Sequence, residues 1–527
     1  MTKYPSRSLR RLLVLAVLLA ISVPAQLVAQ SLRFHIKVAP ELGNTPVSGR
    51  MIVFLSSEKE PKKELSQGFA DTTNQVWITA QEVHDVKPGE TVDVDPDRLA
   101  FPKPLSQAPA GDYQAMALLD VNHNYAYRGD RPGDLRSVVV ALKSLNPASS
   151  QPVDLVLTER IPEKEIKLPP PSEMLDFVSP SLSAFWGRPI HMRGIVLLPP
   201  KYEQDTQKYP VVYWTHGFGA ILNDLAQYVV PQYAGLMAQG KIPPMIYVFL
   251  DESCPGGTHE FADSVNNGPW GKALTTELIP YLEGKYRMDG KPSGRLLTGH
   301  SSGGWAVLWL QVTYPTVFGG SWPTSPDPSD FHNFTGPDLR ANPPQNFYRK
   351  PDGSPWMLVR MGGRDVIALE NYARQETVLG EYGGQISSFD WVFSPRGQDG
   401  RPQQLFEHAT GVIDPEVAKA WEKYDIAEVL RRNVERLRPL LQDKIHLTVG
   451  TEDTFHLDGP AHLLDATMKD LGIRATFTYL EGRTHFDLYR GGLTEKIANE
   501  MEKIARPNQA EMQPPPRSTT ESHGESK

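Results

Sequence analysis

The pentapeptide Gly-His-Ser-Ser-Gly at residues 299–303 has the residue types and spacing of a sharp turn that presents a nucleophilic serine. An apolar run precedes it and a helix-like run follows it, as a strand, a tight turn and a helix require. Gly299 and Gly303 are needed because side chains at these positions would collide with the neighbouring strand or helix. We therefore predict Ser301 as the nucleophile. Ser302 fails the same test, because the residue two positions before it is a histidine.

A nucleophilic serine needs a base to accept its proton and an acid to orient that base. Both are found late in the chain, in a segment that predicts a strand, a helix and a second strand. The strand-like run 445–449 leads to Asp453, residues 457–471 have helical spacing, and the run 475–480 leads to His485. Such a unit brings both strand ends to one edge of a parallel sheet. We therefore predict Asp453 as the acid and His485 as the base.

Two other carboxylates compete with Asp453 for the role of the acid. Asp365 follows another strand-like run, 355–361, and is the runner-up. Glu452 is adjacent to Asp453 in the same turn. Asp453 is favoured over Asp365 because only its segment continues directly into helix, strand and histidine. The sequence leaves both alternatives open.

A glycine-rich loop provides candidate donors for the negative charge that develops on a substrate oxygen. The buried-strand pattern of 210–215 runs into the residues His-Gly-Phe-Gly at 216–219. Glycine there lets the backbone N–H of Phe218 point into the site, and the N–H of Ser302 is the expected second donor. His216 is interpreted as a structural residue rather than a second base.

Further stretches give the chain a resemblance to a known family: 192–202, 216–219, 261–264, 268–271, 277–283 and 299–304. They are similar to the esterase group of α/β-hydrolases that includes esterase D, feruloyl, acetylxylan and enterochelin esterases and the mycolyltransferases. The resemblance covers about residues 175–325 and 445–490. It implies an α/β fold with an α/β-hydrolase catalytic domain, and a serine hydrolase of carboxylic esters with the triad Ser301, Asp453 and His485.

The separation between Ser301 and Asp453 is larger than one intervening strand and helix require, so an insertion is predicted at about residues 326–444. Its first part is rich in proline and glycine, and residues 418–438 carry apolar residues at helical spacing. Insertions of this kind act as lids or substrate walls, or decorate the surface without touching the site. The sequence does not separate these roles.

The amino-terminal residues predict export. Residues 1–29 contain four basic residues, then an apolar run at 12–23 and small residues at the expected cleavage site, as in a secretory signal peptide. No cysteine near its end offers a site for lipid attachment, so the expected location is periplasmic or extracellular, without a stable membrane anchor. Cys254 is the only cysteine, which excludes an intrachain disulfide.

The mature chain divides into regions of different composition. Residues 31–145 contain short alternating apolar runs that predict a small all-β, sandwich-like accessory domain, which either binds a polymer or packs against the enzyme. Residues 146–171 are proline-rich and predict a linker. The catalytic domain is predicted at 172–506, followed by a disordered tail at 507–527.

The leading functional hypothesis is hydrolysis of a small-molecule or polymer-linked carboxylic ester, without a metal or organic cofactor. An acyltransferase with the same triad is the first alternative, and a catalytically dead binding protein is the second. Loss of the leader would change the formal net charge from −8 to about −12, which argues against nucleic acid as a partner. The oligomeric state cannot be read from the sequence.

Overall fold

A computed structural model describes residues 32–67, 75–149, 151–163, 165–380 and 382–507, with only the backbone described for residues 127 and 128. The predicted signal peptide at 1–29 and all but the first residue of the predicted tail at 507–527 lie outside these ranges. None of the described helices is both long and apolar enough to cross a membrane.

The first part of the chain forms a nine-stranded sheet, which we call the N-terminal sheet region. Its elements are β1 (Phe34–Val38), β2 (Val47–Ser56), β3 (Val76–Val86), β4 (Thr91–Val94), β5 (Ala100–Phe101), β6 (Gly111–Asp120), the short helix α1 (Tyr125–Arg128), β7 (Leu135–Ser137), β8 (Val140–Leu145) and β9 (Val153–Arg160).

Both faces of the N-terminal sheet region are covered. Successive side chains of a strand point to opposite faces. In β2, Met51 and Val53 belong to one apolar cluster, whereas Ile52 and Phe54 belong to another. A strand buried on both sides is a nearly continuous apolar run, as β2 is. Where a sandwich-like domain is expected from the sequence, the hydrogen bonds of the described strands form one continuous sheet.

The predicted linker at 146–171 is wrong for residues 153–160, which form a strand of the sheet. It contains β9, which pairs in parallel with β1 and antiparallel with β7. Val153, Leu155 and Leu157 alternate with exposed residues and are buried in the sheet. This period-two pattern decides the structure, because the flanking prolines lie outside the hydrogen-bonded strand.

The second part of the chain contains the remaining elements. Its strands are β10 (Ser172–Val178), β11 (His191–Leu197), β12 (Val211–Thr215), β13 (Ile246–Leu250), β14 (Ser253–Cys254), β15 (Gly257–Thr258), β16 (Asp263–Ser264), β17 (Gly268–Pro269), β18 (Arg295–His300), β19 (Gly320–Thr324), β20 (Met357–Met361), β21 (Arg364–Ala368), β22 (His446–Gly450) and β23 (Thr476–Leu480). Its helices are α2 (Pro180–Trp186), α3 (Leu222–Asp224), α4 (Val230–Ala238), α5 (Trp270–Ala273), α6 (Ile279–Lys285), α7 (Ser302–Thr313), α8 (Leu369–Leu379), α9 (Gln385–Phe393), α10 (Pro415–Trp421), α11 (Ile426–Arg432), α12 (Val434–Leu441), α13 (Asp458–Asp470) and α14 (Leu493–Ala505).

Eight of these strands form the main sheet, in the order β10-β11-β13-β12-β18-β19-β22-β23. The pairs from β13 to β23 are parallel, whereas β10 and β11 are antiparallel to their neighbours. The runs predicted as strands at 210–215, 445–449 and 475–480 correspond to β12, β22 and β23, and the apolar run predicted to precede the turn at 299–303 corresponds to β18. The fold confirms the predicted α/β-hydrolase catalytic domain.

The insertion at 326–444 contains β20, β21 and α8 to α12 and packs against α7. Trp305 of α7 lies 5.1 Å from Phe393, and Trp309 lies 5.5 Å from Tyr424, measured between ring centroids. This cover explains why α7 is buried along most of its length rather than amphipathic. The helix that follows the candidate nucleophile is therefore fixed between the sheet and the insertion.

Candidate active site

Ser301 lies in the sharp turn between β18 and α7 and has the backbone angles φ 58° and ψ −124°. A non-glycine residue in this region is strained and persists only where its surroundings enforce it. A Cβ atom on Gly299 would overlap the carbonyl oxygen of Gly303. A Cβ atom on Gly303 would lie 2.5 Å from the carbonyl oxygens of Thr215 and His216. Glycine at both positions thus allows the neighbouring backbone segments to pack closely against the turn, and this packing holds Ser301 in its strained conformation.

His485 and Asp453 form a buried pair. The turn after β22 carries Asp453 and the turn after β23 carries His485, so the parallel strands bring both to one edge of the sheet. The Nδ1 atom of His485 lies 2.9 Å from Asp453 Oδ2, and the two side chains are 4% and 0% exposed. Asp453 Oδ1 also accepts a hydrogen bond from the Phe455 N–H at 2.9 Å. Because Nδ1 is paired with Asp453, Nε2 is the histidine nitrogen left to accept a proton from a nucleophile.

The charge of Asp453 is stabilised by its partners. Burial alone would raise the pKa of this carboxyl group, but His485 and the Phe455 N–H reverse the effect, and the pKa lies below its ordinary value. Asp453 is therefore an anion at neutral pH. An anion at this position fixes the tautomer of His485 and stabilises its protonated form.

Aromatic residues surround the His485 ring. The ring of His300 lies 4.4 Å away and that of Phe455 4.8 Å away, between centroids. Burial and the nearby His485 lower the pKa of His300 to about 3, so His300 stays neutral and places no second positive charge beside His485. His300 Nδ1 lies 3.1 Å from Thr324 Oγ1. Sequence reasoning did not assign His300 a role, although it occupies the variable position directly before Ser301.

The two alternative acids lie elsewhere. Asp365 is in β21, which pairs antiparallel with β20 in a separate two-stranded sheet. Its carboxylate is 47% exposed and lies 3.2 Å from His456 Nε2. Glu452 is 44% exposed and lies 3.6 Å from Arg360 Nε. The run at 355–361 thus forms a hairpin with β21 and is not a strand of the main sheet.

The glycine-rich loop after β12 passes directly beside the serine. A Cβ atom on Gly217 would lie 3.1 Å from Ser301 Cβ and 3.8 Å from Ser301 Oγ. Phe218 lines the same cavity as Ser301. Ser302 is the first residue of α7, so its N–H is one of the donors that have no acceptor within the helix. The two predicted oxyanion donors are therefore placed on the loop and the helix that flank Ser301.

His216 holds this loop and is fully enclosed. Its Nδ1 lies 2.9 Å from the carbonyl oxygen of Gly217, and its Nε2 accepts the backbone N–H of Glu252 at 3.0 Å. Nε2 also lies 3.2 Å from Asp251 Oδ1. Burial alone would lower the pKa of His216, but Asp251 reverses the effect, and the pKa lies above its ordinary value. This geometry is that of a structural histidine.

Sequence reasoning missed three buried carboxyl groups near the turn. Ser302 Oγ donates to Asp327 Oδ2 at 2.7 Å. Glu252 and Glu260 are 0% exposed, and their carboxylate oxygens have no hydrogen-bond partner among the described residues. Burial raises the pKa of Asp327 to about 6 and that of Glu252 to about 8, and it raises the pKa of Glu260 well above its ordinary value. Glu252 and Glu260 are therefore protonated at neutral pH.

Ser301 and His485 open into one cavity of about 640 Å³, which is the size of a site for a small organic molecule. The insertion supplies part of its wall through Tyr372 and Gln375 of α8. Within the described part of the chain, no group of three or more His, Cys, Asp or Glu side chains is arranged to hold a metal ion.

A mixed, mainly parallel sheet with a serine in the sharp turn after its central strand defines an α/β-hydrolase of the serine type. Residues 186–496 match the model of the family described as "Putative esterase". The match covers more than half of the 527 residues, and the chain belongs to this family.

Individual relatives are distant. "Uncharacterized protein YbbA" of Bacillus subtilis (strain 168) is 25% identical over 138 residues, which are 24% of this chain and 53% of that protein. The chain thus spans about half the length of this curated relative. Among solved structures, a ferulic acid esterase is 16% identical with a TM-score of 0.41, covering 63% of this chain and 98% of that chain. An S-formylglutathione hydrolase from Agrobacterium tumefaciens is 14% identical with a TM-score of 0.37, covering 63% and 95%.

Proposed function

We propose that the protein is a secreted serine esterase in which Ser301, His485 and Asp453 form the catalytic triad. The observation that carries the proposal is that a strained serine lines one cavity together with a histidine that is paired with a buried aspartate. Family membership alone does not assign these roles. The assignment rests on the partners that each side chain has in the structure.

The reaction proceeds through an acyl-enzyme. Ser301 Oγ attacks the ester carbonyl while His485 Nε2 takes its proton, and the carboxylate of Asp453 stabilises the imidazolium. His485 then returns the proton to the departing alcohol. Water, activated by the same histidine, attacks the acyl-enzyme and releases the acid, which regenerates Ser301.

The negative charge on the tetrahedral intermediate is stabilised by backbone donors. We assign this role to the N–H groups of Phe218 and Ser302, because the loop and helix that carry them flank Ser301. Each donor of this kind contributes about 3 kcal/mol to the transition state. The positive end of the α7 dipole lies on the same side and acts in the same direction.

The proposed site of action is periplasmic or extracellular, and the substrate is a small-molecule or polymer-linked ester. The basic and apolar pattern of residues 1–29 supports export. Cys254 is partly buried, and burial raises the pKa of its thiol to about 12. So little of it is then present as thiolate that a free cysteine here is compatible with an oxidising compartment.

Replacement of the nucleophile tests the proposal. Ser301→Ala should lower the turnover of an activated aryl acetate by about 10⁶, because no other group can form the acyl-enzyme. A fluorophosphonate probe should label the parent protein and not this variant. The exposed Ser57 provides the matched control, since Ser57→Ala removes a hydroxyl outside the cavity and should leave turnover unchanged. Retained turnover or labelling in Ser301→Ala would refute the assignment.

A further inference from the structure

The cavity that contains Ser301 has a wall from a distant part of the chain. Besides residues of the main sheet and the insertion, the lining includes Gln67, Tyr125 and Ala126 of the N-terminal sheet region. These residues precede the nucleophile by more than 170 positions. A region that resembles a separate accessory domain in the sequence therefore reaches the proposed catalytic centre.

This wall is held in a fixed position by the contact between the N-terminal sheet region and α8. Arg50 of β2 is 3% exposed, and its guanidinium donates to the carbonyl oxygens of Val378 at 3.0 Å and Thr377 at 2.6 Å. These acceptors are in the last turn of α8, whose carbonyls have no partner within the helix. A positive charge there also complements the helix dipole. Arg50 thus ties β2 to the helix that forms the neighbouring wall.

Apolar contacts reinforce the same junction. Val378 and Leu379 at the end of α8 belong to the cluster that contains Ile52 and Phe54 of β2. The cluster also contains Tyr125, whose ring centroid lies 5.5 Å from that of Phe54. Because α1 and α8 rest on one apolar face of the sheet, the positions of their side chains in the cavity are coupled.

The short helix α1 is anchored on both sides. The Tyr125 N–H donates to Asp120 Oδ2 at 2.8 Å, and the Gln67 N–H donates to the Tyr125 hydroxyl at 3.4 Å. A Cβ atom added to Gly380, directly after α8, would lie 3.5 Å from Ala126 Cβ. Ala126 therefore sits at the line where the N-terminal wall and the insertion wall meet, and its small side chain leaves the cavity open there.

We propose that the N-terminal sheet region is a substrate-specificity element, in which Tyr125 and Ala126 set how large an ester group can occupy the cavity with its carbonyl at Ser301. This inference rests on the proposed esterase function. The volume of about 640 Å³ is far more than an acetyl group fills. Esters with a bulky group that extends from Ser301 to the N-terminal wall are the class of substrate that uses the whole cavity, whereas a short ester does not reach that wall.

The test enlarges one side chain in the full-length protein. Ala126→Trp fills the cavity at the N-terminal wall. Relative to the parent protein, kcat/KM for 4-nitrophenyl acetate should change by less than about threefold, whereas kcat/KM for bulky esters should fall tenfold or more, mainly through KM. Two series are measured, one varying the acyl group on 4-nitrophenol and one varying the alcohol of an acetate ester. The series that shows the loss identifies which half of the ester faces the wall.

Two further variants keep the result interpretable. Ala141→Trp places the same side chain at an exposed position of β8 in the same region and should leave both series unchanged. Ala126→Leu should give a smaller loss of the same kind and carries the test if the tryptophan variant does not fold. A uniform change at all ester sizes, or no change in either series, would overturn the inference while leaving the esterase function intact. Absence of ester turnover in the parent protein would instead reject the proposed function.

Discussion

Asp453 and Glu252 are both fully buried carboxyl groups in turns that follow strands of the main sheet, yet their pKa values are shifted in opposite directions. Asp453 accepts hydrogen bonds from backbone N–H groups and faces His485. The oxygens of Glu252 have no partner in the described part of the chain, and burial therefore raises its pKa to about 8. Depth of burial does not decide whether a carboxyl group can serve as the anion of a triad. Its partners decide it.

The largest effect that separates these two groups is on catalysis. Asp453→Asn keeps the shape of the side chain but removes the anion that orients His485, so kcat/KM for an activated ester should fall by about 10⁴. Glu252→Gln also keeps the shape and should change kcat/KM by less than about fivefold, because the parent residue is already uncharged at pH 7. Circular dichroism of both variants checks that they are folded. Equal losses of kcat/KM in the two variants would contradict the view that only Asp453 acts as the anion of the triad.

The second effect is on stability and concerns Glu252. Its pKa is about 8 in the folded protein and ordinarily 4.5, so between these values the folded state holds a proton that the unfolded state has released. Stability should therefore fall as pH rises from about 5 to 8, by up to about 1.4 kcal/mol per pH unit for this group, and then level off. Glu260 and Asp327, whose pKa values are also raised, add to the fall in the same direction.

Glu252→Gln isolates this contribution. The variant should lose less stability over the same pH interval in urea unfolding measurements. Glu435, whose side chain is 84% exposed, is the matched control, and Glu435→Gln should reproduce the pH dependence of the parent protein. An unchanged slope in Glu252→Gln would show that Glu252 is ionised in the folded protein.

The smallest effect is expected at the third carboxylate, Asp365. Asp365→Asn removes a half-exposed charge near His456 and leaves the His485 pair untouched. Surface changes of this kind cost little, and kcat/KM and the midpoint of unfolding should stay within experimental scatter of the parent values. A loss comparable to that of Asp453→Asn would make Asp365 the functional acid.

The parts of the site that were predicted from the sequence depend on local patterns. The turn around Ser301 has glycines where close approach demands them, and the strand, helix and strand around Asp453 and His485 follow from residue periodicity. The tertiary partner of a carboxylate is not local. The run 355–361 has the composition of a strand of the main sheet, and only the hairpin formed by β20 and β21 removes Asp365 from the site.

The features of the fold and the site that were not predicted from the sequence depend on packing between distant segments of the chain. The strand β9 lies within a proline-rich stretch. Its alternating apolar residues are buried because β9 pairs with β1 and β7, and these pairings cannot be predicted from the local sequence. The position of Ala126 in the cavity cannot be predicted from its residue type, because it depends on how α1 packs against the end of α8. Glu252 and Glu260 lie in a segment whose polar and glycine residues are typical of a surface loop, and no local pattern predicts that their side chains are buried.

Arg50 has a practical consequence for dissecting the protein. The boundary of the family match at residue 186 invites expression of a shortened enzyme, but such a fragment would lack the guanidinium that satisfies the carbonyls of Thr377 and Val378. It would also expose the apolar end of α8 to water. The family match therefore begins at a residue that is not the boundary of an independently stable unit. Heating the intact protein should melt both halves in one cooperative transition.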